Sequence, residues 1–173
     1  MYFWKIDLLK QQLATHGLTE KQLYYYILIS VALSAIGIEA IGYIPGASPN
    51  AWSYVQSIIN AAIPILGTIM AFRANGGESG VQFVARYFSI GFVATIRFMV
   101  LLIPIMIAME IYWFSSYDME NEISTTGIEV AVFSIWYALL YAYIAKHIRK
   151  VSIKDRKINS LSASSRSAVS TLQ

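Results

Sequence analysis

Cysteine is absent from all 173 residues, which excludes disulfides, thiolate nucleophiles and Cys-ligated metals and leaves the redox compartment open. Charge is scarce as well, at 13% of residues, so a large solvated surface is excluded. His16 and His147 are the only histidines and have no metal-ligand spacing. No His-Glu-x-x-His, no Gly-x-Ser-x-Gly and no paired intramembrane Asp occurs, so neither enzymatic activity nor a cofactor is expected. The segment 75–80 is glycine-rich and could form an anion-binding nest. It lacks the Gly-Lys-Ser/Thr ending of a P-loop and does not follow a strand, so it reads as a flexible turn.

What is present is apolar: 57% of the chain, gathered into four runs at 24–44, 52–72, 88–113 and 128–145. Each approaches the ~20 residues that an α-helix needs to cross a hydrocarbon core. The expected fold is all-α: an integral membrane four-helix transmembrane bundle over 18–147, preceded by an amphipathic interfacial helix over 1–17. A basic, Ser-rich, mostly disordered tail is expected over 148–173.

Cations alternate with acids between the runs. Lys5, Lys10 and Lys21 precede the first, Arg73 and Arg86 flank the 2–3 connection, and Lys146, Arg149, Lys150, Lys154, Arg156 and Lys157 follow the fourth. The link 45–51 has no charge, and 115–126 holds Asp118, Glu120 and Glu122 without a cation. Lys and Arg mark the cytoplasmic side, so a bacterial inner-membrane protein is expected with both termini in the cytoplasm, the acidic loop outside and span 1 as an uncleaved insertion signal. Tyr24–Tyr26, Tyr43, Trp52, Tyr112 and Trp113 fall where headgroups would lie.

Local signals refine this plan. Tyr2, Ile6, Leu9 and Leu13 make a helical stripe, which suits either the inner leaflet or packing beneath the bundle. Gly17 can end that helix, and Thr19 with Gln22 reads as a capping box opening span 1. Pro64 and Pro104 should kink spans 2 and 3. The first turns of the third helix, with Gln82 and Arg86, are expected to project into the cytoplasm or lie along the surface.

Arg97 is the costliest residue, since a cation near a span centre costs about 2.5–3.5 kcal/mol. Its expected partners are Glu39 in span 1 and Asn60 in span 2, forming a network that either fixes helix register or serves an ion pathway. Ser134, Tyr137 and Tyr141 form a polar stripe on span 4, suited to core packing or to an oligomer axis. Ser30 and Ser34 form a small-xxx-small pair that permits close helix approach. Glu110 and Glu129 sit near outer ends, where they are hydrated or ring a vestibule. The basic cluster from Lys146 to Lys157 suits an anionic inner leaflet or a cytoplasmic protein partner better than nucleic acid.

Two functions remain open: an oligomeric platform or sensor that docks a cytoplasmic partner, and a small homo-oligomeric ion channel or transporter subunit. Both imply a homo-oligomer, with a tetramer favoured. In size and layout the chain resembles the small four-pass membrane subunits of bacterial two-component anti-phage systems such as Kiwa. That resemblance covers the whole chain through its four spans, inward termini and lack of a soluble domain, and it assigns no residue a role. It implies a sensor of envelope disturbance working with a soluble effector. The small membrane subunits of binding-protein-dependent secondary transporters are similar in length.

The one-sided charge bias predicts a labelling pattern. A single Cys in place of Ser116 reacts with an impermeant thiol reagent in intact cells, and one in place of Ser79 does not. Labelling at Ser79 from outside contradicts the orientation.

Overall fold

The computed structural model describes residues 4–19, 21–23, 25–30, 33, 50–116 and 125–170, and among them every regular element is helical. Helix α1 spans Ile6–Thr15, α2 Ala51–Asn75, α3 Phe83–Ser116 and α4 Gly127–Ser170, with a 3-10 turn at Gly77–Ser79 between α2 and α3. Three of these, α2, α3 and α4, are long and apolar enough to cross a membrane. They match three of the four apolar runs. The remaining run, 24–44, lies mostly outside the described residues, as do Ser34, Glu39, Tyr43, the link 45–49 and the acids Asp118, Glu120 and Glu122.

Helix α1 carries the stripe read from its sequence: Ile6, Leu9 and Leu13 are buried, and exposed Asp7 pairs with the largely covered Lys10 at 2.7 Å. The Lys10 ammonium holds the Asp7 carboxyl below its ordinary pKa. Gly17 ends the helix at φ +72°, its N–H and that of His16 both donating to the Gln12 carbonyl. The stripe is covered by α3 and α4, so this helix lies on protein. The Thr19–Gln22 capping box is present, with Thr19 N donating to Gln22 Oε1 at 3.1 Å and Gln22 N to Thr19 Oγ1 at 3.3 Å. Helical backbone follows at 21–23 and 25–30.

Asn50 opens α2 through a reciprocal box with Ser53, and Gly76, left-handed at φ 113°, closes it. Pro64 and Pro104 lie inside continuous helices. At 1.5 Å per residue, the 34 residues of α3 and 44 of α4 give rods of about 51 and 66 Å.

Helix α4 is the hub, packing on α1, α2 and α3. The core sits at one end, where Leu9 and Leu13 of α1 meet Ile90 and Val93 of α3 and Ile148 and Val151 of α4. Away from it, large side chains such as Ile58 (69% exposed), Ile65 and Ile111 point outward. A soluble bundle would lose stability that way; in a bilayer these groups meet lipid at no such cost.

Composition alone reads 148–173 as mostly disordered, yet α4 runs unbroken through Ser170. The reason lies at the start of that stretch. Ile148, Val151 and Ser152 are buried, and Asn159 Nδ2 bonds the Asp155 carboxylate one turn back at 3.3 Å. Packing therefore supports the helix as far as Asp155, where polar composition alone would not; from 156 to 162 its side chains are exposed.

Helices α2 and α4 touch most closely at Gly67. A Cβ there would lie 2.3 Å from the Tyr141 ring and 2.6 Å from its Cβ, atoms that cannot swing aside. Gly67→Ala should lower the melting temperature in detergent, with a cost of about 1–3 kcal/mol. An unchanged melt would show that the two helices do not meet there.

Candidate functional site

Among the described residues the largest side chain that is fully buried belongs to Arg86, at 1% exposure. Sequence reading has its turn project into the cytoplasm or lie along the surface; the structure covers the side chain with protein. Two elements supply partners for its terminal nitrogens, while Nε is buried without a partner among the described residues. Nη1 donates to Asn75 Oδ1 at 2.9 Å, and Nη2 pairs with Asp155 Oδ2 at 2.8 Å. Asn75, itself fully buried at the last residue of α2, donates from Nδ2 to the Val81 carbonyl at 3.1 Å and accepts Ser152 Oγ on its backbone oxygen at 2.7 Å. The cluster joins the end of α2, the start of α3 and the middle of α4. Burying a cation is costly unless it is paired and hydrogen-bonded, so these partners fix the register of all three elements.

Arg97 makes a second polar centre at the same end. Its Nε donates to the Trp4 carbonyl at 3.1 Å, Nη2 contacts that same oxygen, and Nη1 donates to the Tyr143 hydroxyl at 3.0 Å. The guanidinium also lies 5.4 Å from the centre of the Trp4 ring, within cation–π range. The residue therefore sits level with the chain leading into α1, although its place in the apolar run reads as mid-span. Of the partners expected for it, Glu39 lies outside the described residues. Asn60 is exposed on α2 and accepts from Gln56 Nε2 of its own helix at 2.9 Å. The His147 ring lies against Tyr143, tilted by 54° with centroids 4.2 Å apart, and its Nδ1 is buried and unbonded among the described residues.

The span 4 stripe divides. Ser134 bonds back to the Val130 carbonyl, while Tyr141 lies on Gly67 and contacts Tyr137 edge-on at 5.3 Å. These residues serve helix packing. Ser30 likewise bonds back to the Tyr26 carbonyl at 2.7 Å.

At the opposite end of α4, Glu129 is 92% removed from solvent, with 8% exposure, and closes a capping box. Thr126 Oγ1 donates to Glu129 Oε1 at 3.0 Å, and Glu129 N to Thr126 Oγ1 at 3.4 Å. Its carboxylate is thus turned onto its own helix start, whereas Glu110 is exposed on α3. The same end is tied to α2: Asn50 Nδ2 donates to the Thr125 carbonyl at 2.8 Å, and Ser53 Oγ to Thr125 Oγ1 at 3.1 Å.

Lys146, Arg149, Lys150, Lys154, Arg156 and Lys157 are all exposed. Arg149 and Arg156 join Arg73 and Ser152 around a cavity of about 480 Å³ between the end of α2 and α4. Sequence reading missed Asp155, Asn75 and Ser152. The signal for Asp155 was a lone acid inside a basic segment, and Thr126-x-x-Glu129 is a readable capping box. Among the described residues no three His, Asp or Glu side chains gather as metal ligands would.

No protein-family model matches the chain, and no curated protein or solved structure is similar to it.

The two ends of the Arg86 pair are unequally buried, 2% exposed for the Arg86 side chain and 18% for Asp155. Removing the acid strands a deep cation; removing the cation leaves an acid that water can reach. Asp155→Leu should therefore cost more than Arg86→Met, about 3–5 kcal/mol. Adding Arg86→Met to Asp155→Leu should recover much of that loss in thermal melts. If the double variant melts at the sum of the two single losses, the pair is not coupled.

Proposed function

We propose that this chain is a non-enzymatic, multi-pass membrane protein that serves as an oligomeric platform or sensor for a cytoplasmic partner. The supporting observation is α4: one unbroken helix capped and tied to α2 at Thr125–Glu129, and clamped again through Asp155, before it continues to Ser170. Such a rod carries a displacement from one membrane face to the other, which is what a sensor coupled to an internal effector requires. In this reading 24–44 is a fourth span and both termini lie in the cytoplasm of a bacterium with α4's basic segment. The stimulus is a disturbance of the envelope, as in the anti-phage systems that the layout resembles.

Oligomerisation has its own support. Asn60 is exposed about 14 Å along α2 from Ala51, deep in the span, where a polar amide facing lipid is costly. Gln56 of the same helix occupies its Oδ1; a second copy of the chain presenting the same helix would supply an acceptor for its Nδ2, and a closed assembly such as a tetramer would repeat the contact. The ion-channel reading has weaker support: Tyr141 is used in packing on Gly67, and Arg97 is engaged by Trp4 and Tyr143.

Native mass spectrometry of protein in mild detergent should give several times the 19.4 kDa of one chain, and Asn60→Leu should shift the population toward monomer. A monomeric wild type contradicts the assembly. A photo-crosslinker at exposed Ile158 or Leu161 should trap one defined cytoplasmic protein in cells; its absence contradicts the docking role.

A further inference from the structure

The six cations that follow the span 4 run divide by chemistry. The two that line the cavity beside α2, Arg149 and Arg156, are arginines; the four others, Lys146, Lys150, Lys154 and Lys157, are lysines. The third cation of the cavity, from the last turn of α2, is again an arginine, Arg73. Membrane topology requires positive charge and is served by either residue. The planar guanidinium fork matters where two oxygens of one phosphate are to be gripped together.

The geometry makes these three convergent. Arg149 and Arg156 are seven residues apart, two turns along one face of α4. Arg156 reaches across to the end of α2, so that a Cβ on Gly76 would meet its Nη2 at 2.0 Å. The cavity's volume, about 480 Å³, suits one phosphate-bearing group. No carboxylate among the described residues pairs with any of the three, although Asp155 is close by; its partner is Arg86. The Ser152 hydroxyl on the wall is already committed to Asn75, so the three guanidinium groups are the cavity's unneutralised donors.

We infer that Arg73, Arg149 and Arg156 form a binding site for a phosphate group, supplied either by an anionic phospholipid headgroup or by a small soluble phosphate compound. Bound there, a phosphate bridges the end of α2 to α4 one layer outside the Arg86 clamp and stiffens the same junction. The site rests on these three side chains and does not depend on the platform reading.

The test uses the full chain in neutral detergent with two probes: pyrophosphate by calorimetry, and phosphatidylglycerol against phosphatidylcholine by native mass spectrometry. Wild type should bind at least one phosphate probe in preference to phosphatidylcholine or chloride. Binding of phosphatidylglycerol alone identifies a headgroup, and binding of pyrophosphate identifies a soluble ligand. The R73Q/R149Q/R156Q variant should weaken binding about tenfold or more, since each lost charge-assisted bond contributes on that scale. The K150Q/K154Q/K157Q variant removes equal charge from outside the cavity and should weaken binding less than about threefold if screening by salt governs those contacts. Arg149→Lys keeps both charge and fold, and should still weaken binding measurably. Equal losses in the two triple variants, or no preference in the wild type, would overturn the site.

Discussion

A guanidinium held away from water at the junction of three helices is the constraint on which this structure depends. Arg86 cannot be buried by α3 alone. Its charge needs Asp155 from α4, and its second nitrogen needs the side chain of Asn75 at the last residue of α2. Asn75 in turn uses its amide on Val81 and its carbonyl on Ser152, so one residue fastens the α2–α3 connection and α4 together. A slip of α4 by one residue would turn Asp155 and Ser152 away at the same time. The left-handed Gly76 ends α2 at the point where Asn75 is left facing this cluster.

The rest of the molecule follows from where that junction sits. The buried apolar residues collect around it, with α1 laid across α3 and α4, while the far parts of α2 and α3 expose their apolar side chains to what a membrane provides as solvent. At the other end, Asn50, Ser53 and Thr125 tie α2 to α4, and between the two ties Tyr141 rests on Gly67. The long helix is thus held at its start, at Tyr141 and again at Ser152–Asp155, and continues beyond the last tie to Ser170. Arg97 adds the chain before α1 to the same end through the Trp4 carbonyl and ring.

Features set by local pattern were legible in the sequence. The α1 stripe, the Gly17 stop, the Thr19–Gln22 box and three long apolar helices depend on spacing within a few residues, and they are where the pattern puts them. The site was not legible, because Arg86 lies 11 residues from Asn75 and 69 from Asp155, and each looks ordinary alone. A cation flanking a span reads as a topology signal, and nothing local distinguishes buried Arg86 from exposed Arg73. The helix that continues after 148 was not legible for a related reason: polar composition argues against a helix standing alone, but Ile148 and Val151 are buried against neighbours that composition does not see. Arg97 was read by its distance along an apolar run, whereas its actual level is set by Trp4 and Tyr143 from elsewhere in the chain.

Amide hydrogen exchange across α4 tests most directly whether the Arg86 junction holds this helix in place. If it does, peptides covering 146–156 exchange as slowly as those within the span, and protection falls off beyond 160, past the last clamped turn. Exchange over 146–156 as fast as that beyond 160 would mean that α4 frays from the membrane outward, and the account of a clamped, continuous rod would be wrong.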